Sequence, residues 1–204
     1  MEFGLSDEQR MLADSIRRFA DERVDGERLK TLVDGGDTAN AELLRGLAEL
    51  GAFGILTPEE HGGSGMTLLD ACLVQQALGR SAVPVPFTAS AILAPLALRA
   101  SGDAAAQWLP LLASGERRLG VGLSETAGKR SGTGITVAQD TASGVARFVI
   151  DGQGADAWIL ATEDHGLILV EAGAQDAECI ALTTIDHSRS VAEVHLKRTP
   201  CTTL

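Results

Sequence analysis

Leu12, Ile16 and Phe19 recur at helical spacing behind a polar start, Ser6-Asp7-Glu8-Gln9, and this pattern predicts a first helix. Ser6 and Gln9 stand at capping-box spacing, and Asp7 and Glu8 suit the positive end of the helix dipole. A polar, glycine-bearing stretch at Asp34–Asp37 predicts a break. Leu43, Leu47 and Leu50 then repeat at four and three, which predicts a second helix ended by Gly51.

Pro58, Gly62, Gly63 and Gly65 make Ile55–Met66 a loop. Thr67 to Leu78 reads as helix again, with Leu69, Cys72 and Leu73 expected to face inward. Pro84 and Pro86 open a new segment. The run from Phe87 to Leu98 is too uniformly apolar to face water, and Pro95 inside it predicts a kink or break. A last short helix is predicted from Asp103 to Ser114, stopped by Gly115.

After Arg117 the period changes from helical to alternating. Leu119, Val121 and Leu123 alternate, as do Ala146, Phe148 and Ile150, and the pairs Leu167/Leu169 and Val194/Leu196 continue the trend. Helices first and strands afterwards predict an α+β chain rather than βαβ units. The expected organisation is an all-α N-terminal domain over residues 1–116 and a β-barrel or sandwich domain over 117–204. No internal repeat of about 20–50 residues is visible.

Composition narrows the functions. The 204 residues include five Phe, two Trp and no Tyr, so the core must come from Leu, Ala, Val and Ile. The net charge of −11 disfavours nucleic acid and anionic membrane surfaces, both of which need clustered Lys and Arg. Residues 1–116 hold 17 Asp and Glu against 9 Lys and Arg, so the second part tolerates an anionic ligand better. Cys72, Cys179 and Cys201 are widely spaced and form no CxxC pair, which suggests neither a disulfide framework nor a zinc site. The opening MEFGLSDEQR lacks an apolar signal region, and no apolar run reaches the ~18 residues of a membrane span. A cytoplasmic protein is expected.

Several constellations offer chemistry. Glu60–Gly65, EHGGSG, could cradle a phosphate with backbone amides, but it lacks the P-loop lysine and no strand precedes it; a tight interhelix connection is the expected reading. His61, His165, His187 and His195 show no metal-ligand spacing, and no metal is expected. No GxSxG elbow marks a serine hydrolase. The stretch Leu123 to Gly132, LSETAGKRSG, begins where a strand ends and offers hydroxyls, amides and two cations. That chemistry suits a flavin or a phosphate, and equally a solvated β–β loop. In Ala146–Gly152, ARFVIDG, Phe148 and Ile150 form a flat apolar wall if they share a face; ordinary strand core is the alternative.

In its motifs and their order the chain resembles the first two domains of the acyl-CoA dehydrogenase family. LSDEQRMLADSIRRFADERV resembles the family's opening helix, and AELGAFGILTPEEHGGSGMTLLDACLVQQALGR its glycine-rich connection and following helix. AAQWLPLLASGE resembles the lead into the β domain. GLSETAGKRSG stands where the family has its Thr-Glu-Pro…Gly-Ser-Asp flavin and substrate loop. GVARFVIDGQGADAWILAT stands where it has a Gly-x-Lys-x-aromatic-Ile-Thr-Asn strand and an Ala-Asp segment.

The resemblance implies FAD as cofactor and an acyl-CoA thioester as substrate in fatty acid or lipid catabolism. It implies α,β-dehydrogenation, in which a glutamate takes the α-proton and the β-hydrogen leaves as hydride to the flavin. It also implies an electron-acceptor flavoprotein and homo- or hetero-oligomeric dehydrogenase subunits as partners. Carried over by position, Leu123 and Ser124 meet the flavin from the loop strand, and Phe148, Val149 and Ile150 lie against it from the second strand. Arg130 or Ser131 takes the place of the family's Ser near the cofactor pyrophosphate.

The sequence departs from that pattern at named positions. Thr126 replaces the loop's Pro, Lys129–Gly132 replaces Gly-Ser-Asp, and Ile150 replaces a Thr that donates near the flavin. The family's third, helical bundle carries its glutamate base, and the chain stops at Leu204 where that bundle would begin. No catalytic residue is therefore assigned, and the chain is expected to be inactive alone. It reads as a fragment of a dehydrogenase or as a short, catalytically silent subunit that assembles with an active partner. Exposed apolar surface such as Phe87–Leu98 would then drive association.

Overall fold

The computed structural model describes residues 4–123 and 133–204. Helix α1 spans Asp7–Arg23, and the Ser6/Gln9 capping box forms: Ser6 Oγ accepts from Gln9 N–H and Gln9 Oε1 from Ser6 N–H. Ile16 and Ala20 are buried along its inner face, with Leu12 and Phe19 flanking them. Helix α2, Gly26–Asp34, has no counterpart in the hydrophobic pattern. It buries only Leu32, and its start is set by Asp25, whose carboxylate accepts from Arg28 N–H at 2.8 Å. Helix α3, Ala41–Glu49, buries Leu43 and Leu47 as expected, while Leu50 lies just past its end and is exposed.

Helix α4 spans Leu68–Arg80, but its inward face is turned from the expected one. Ala71, Leu73, Val74, Ala77 and Leu78 are buried, whereas Leu69 and Cys72 are exposed. Ala71, Val74, Ala77 and Leu78 follow helical spacing on the buried face, which leaves Leu69 and Cys72 on the other side. Thr88–Leu93 forms a π-turn that runs into helix α5, Ala94–Leu98. Pro95 lacks an N–H and crowds the carbonyl four residues back, and the widened turn absorbs both defects without breaking the helix. This segment is not bare: Phe87, Ala89, Ala91, Ala94 and Leu98 are fully buried, because the strand region covers what the helices leave open. Helix α6, Asp103–Ala113, completes the helical part.

Among the described residues eight strands follow: β1 Leu119–Gly122, β2 Gly134–Ala138, β3 Thr141–Ile150, β4 Ala157–Ala161, β5 Leu167–Glu171, β6 Ala177–Ala181, β7 Val191–Pro200 and β8 Thr202–Thr203. They form one mixed sheet in the order β6-β7-β3-β1-β4-β5-β8, with β2 on β3. The β1–β4 pairing is parallel, and the other pairings among the described residues are antiparallel. Among the described residues no pairing joins β6 to β8.

Alternation then gives the sheet two faces. Leu119, Val121, Ala157, Ile159 and Leu169 meet α6 and the Ala89–Leu98 segment. Trp158, Leu160, Ile168, Val170 and Val194 point the other way into the sheet's own core. Among the described residues no helix is long and apolar enough to cross a membrane.

Candidate functional site

The end of β1 lies beside the end of β3. Val121 pairs with Ile150. Both Leu123 and Ile150 pack at the margin of the core between sheet and helices. The pairing of β3 with β7 slips between Ala146 and Val149, which is a β-bulge. Phe148 sits in it with φ +56°, in the left-handed region that a bulky residue seldom adopts. It is 48% exposed, the most exposed aromatic residue among those described.

The bulge explains where simple alternation fails. Ala146 and Val149, three apart, both face the inner core, because the extra residue resets the phase of the strand. Leu123 and Ile150 pack against the same helix-facing core, and Phe148 is exposed in the bulge two residues before Ile150. Val149 is not: its side chain is fully buried among Leu160 and the inner-core residues, so it supports the strand from behind instead of lying against a ligand. Gly122 makes this stacking possible, since a Cβ there would lie 3.0 Å from both Leu160 Cδ2 and Val149 Cγ2. Ser124, Arg130 and Ser131 lie outside the described residues.

Charged groups flank the edge. On the outer face of β3 and β7, Arg147 Nε meets Glu193 Oε1 at 2.9 Å, and His195 Nε2 meets Glu193 Oε2 at 3.1 Å. Directly after Ile150, the buried Asp151 carboxylate meets Arg189 at 3.1 Å. Burial pushes the Asp151 carboxyl up to about 6, against the pull of the Arg189 charge and the Ala89 amide. Neither Asp151 nor Arg189 carries a signal in hydrophobic periodicity; an acid at the end of an apolar strand is the only sequence hint.

The glycine-rich connection is structural. The amides of His61, Gly62, Gly63, Ser64, Gly65 and Met66 all donate to carbonyls between Gly54 and Glu59, so none is left to cradle an anion. A Cβ on Gly63 would run into the Thr57 carbonyl, which is why glycine stands there. Among the described residues, no three His, Cys, Asp or Glu side chains gather as they would around a metal ion.

The helical array packs its last members on one face of the mixed sheet. Residues 6–116 match the family profile "Acyl-CoA dehydrogenase, N-terminal domain". The chain belongs to the acyl-CoA dehydrogenase family. It is 40% identical over 120 residues to (2S)-methylsuccinyl-CoA dehydrogenase of Cereibacter sphaeroides, covering 55% of this chain and 21% of that protein. Its fold is similar to the ChsE4–ChsE5 complex from Mycobacterium tuberculosis, with TM-score 0.87, 26% identity and coverage of 98% of this chain and 56% of that one. It also shares its fold with an acyl-CoA dehydrogenase complexed with FAD from Bacillus anthracis, at TM-score 0.82, 20% identity and coverage of 98% and 37%. The chain thus spans about a fifth of that curated relative and just over half of the Mycobacterium chain.

Proposed function

We propose that this chain supplies the helical and strand portions of an FAD-dependent acyl-CoA dehydrogenase acting on an acyl-CoA thioester. The observation that supports the reading is the bulge that leaves the Phe148 ring exposed two residues before Ile150, which with Leu123 is half-buried at the margin of the helix-facing core. Such a surface fits the flat, largely apolar ring system of a flavin, and FAD is bound in the Bacillus anthracis relative. Leu123, Phe148 and Ile150 would hold the ring and exclude water from it. Ser124 would meet the ring beside Leu123, and Arg130 or Ser131 would hold the pyrophosphate end. FAD, when bound, supplies the acceptor for the hydride of an α,β-dehydrogenation. An acyl-CoA thioester, an electron-acceptor flavoprotein and further dehydrogenase subunits are the partners of this reading.

A second reading is favoured by one observation. Ile150, which the family resemblance sets at the position of a hydroxyl donor, is packed against the helix-facing core and has no side-chain donor to give. A catalytically silent subunit beside an active one would tolerate that replacement. Titrating FAD into the protein and into Phe148→Ala, followed by flavin fluorescence, tests the site. Weaker binding by the variant, about tenfold for loss of an aromatic platform, supports it. Equal binding overturns the placement of the flavin on this edge.

A further inference from the structure

We propose that Asp151 and Arg189 form a protonation-sensitive clasp that fixes the bulged end of β3 to the segment Val85–Ala89, which leads into the helical part. The guanidinium reaches three groups at once. It donates to the Val85 carbonyl at 2.7 Å and to Thr88 Oγ1 at 3.4 Å, and pairs with Asp151 Oδ2 at 3.1 Å. The same carboxylate oxygen accepts from the Ala89 amide at 3.4 Å. Sequence separations of 62 to 104 residues show that these bonds join the helical part to the sheet, not neighbours within one strand. On the sheet side the backbone is closed as well: Asp151 N–H donates to Ser190 O at 2.8 Å and Gln153 N–H to Ser190 Oγ at 3.3 Å.

Among the described residues, the charges facing Asp151 are few. Arg189 approaches from the segment before β7. Arg118, ahead of β1, lines the same small cavity but donates to Gly154 O and, through its amide, to Asp156. From the helical side Pro86, Thr38 and Ala39 line that cavity, with no charge among them. Its volume of about 10 Å³ is at the limit for one water, so it holds no ligand and screens the pair little.

Asp151 therefore carries a desolvation cost that one cation does not fully offset, and its carboxyl titrates near 6. Below that pH the carboxyl is neutral and the clasp is tightest. Above it the buried carboxylate favours an opened turn, where the hydrated group has the lower pKa, and the backbone next to Phe148 and Ile150 loosens. The clasp stands whether or not a flavin binds at that edge.

Trp158 reports on this turn, because its indole N–H donates to the Gly152 carbonyl at 2.8 Å. With Trp108→Phe removing the other tryptophan, Trp158 fluorescence should show a step near pH 6 that Asp151→Asn abolishes. By hydrogen exchange, the protection factor of the Ala89 amide should fall about fivefold on the alkaline side of that step in the wild type and be pH-independent in Asp151→Asn. Arg189→Gln should show the low protection at all pH values, and Asp151→Asn should melt no lower than wild type at neutral pH. A step that persists in Asp151→Asn, unchanged protection in Arg189→Gln, or a lower melting point for Asp151→Asn would overturn the clasp.

Discussion

Gln9 Nε2 donates to Asp70 Oδ1 at 2.9 Å, and this one bond joins the capping boxes of two helices. Gln9 uses its amide oxygen to cap α1 through Ser6 N–H. Asp70 uses its other oxygen to accept from the Thr67 amide at 2.9 Å and hydroxyl at 2.6 Å, capping α4. Two local devices thus become a tertiary contact across 61 residues, at the interface where α1 and α4 pack.

Asp70→Ala should cost about 2 kcal/mol in urea unfolding, since it removes a cap and leaves Gln9 unsatisfied. The Thr67 hydroxyl, with Gln9 and the Thr67 amide, holds the Asp70 carboxyl below its usual range. A lowered folded pKa stabilises the fold above the unfolded value of 3.8, and that contribution is lost as pH falls through the folded one. The destabilisation by Asp70→Ala should therefore shrink in acid below about pH 4.

Asp151 has the opposite sign. Its folded pKa lies above the unfolded one, so its contribution is fully present below 3.8 and is lost as pH rises through about 6. The rise of the carboxyl from 3.8 to about 6 on folding corresponds to roughly 3 kcal/mol across that window. Between those pH values, wild type should lose stability relative to Asp151→Asn as pH rises. Parallel stability curves for the two proteins would refute this.

Gly122→Ala tests the packing behind the candidate edge. The added methyl meets Leu160 and Val149 at 3.0 Å in an inner core with both neighbours fully buried. Overpacking should cost about 1–3 kcal/mol and displace the end of β1, which thermal melts and Leu123-directed chemical shifts would record.

Ile150→Thr separates packing from donor chemistry. Loss of apolar contact at the margin of the helix-facing core should lower stability by about 1 kcal/mol. The new hydroxyl should tighten FAD binding about three- to tenfold. Weaker FAD binding by Ile150→Thr would mean that this side chain serves the core alone.

Much of the architecture is legible in the sequence because it rests on local rules. The capping box at Ser6, the inward positions Ile16, Leu43 and Leu47, and the switch from helical to alternating period after Arg117 all follow from residue type and spacing. Short α2 escapes such rules because one buried leucine makes no period. The buried face of α4 follows the helical spacing of Ala71, Val74, Ala77 and Leu78, which leaves Leu69 and Cys72 outside it.

At the candidate edge, the sequence by itself determined that Leu123, Phe148 and Ile150 belong to strand ends. It could not show that the chain slips by one residue between Ala146 and Val149, since a bulge is settled by what the partner strand β7 pairs with. That slip turns Phe148 outward and sends Val149 into the inner core. Nor could it show that Asp151 meets Arg189, 38 residues on, or that Arg189 reaches back 104 residues to Val85. Hydrophobic pattern encodes which face of an element is buried; the pairing of buried charges depends on which faces the folded chain brings together, and only the tertiary structure decided that.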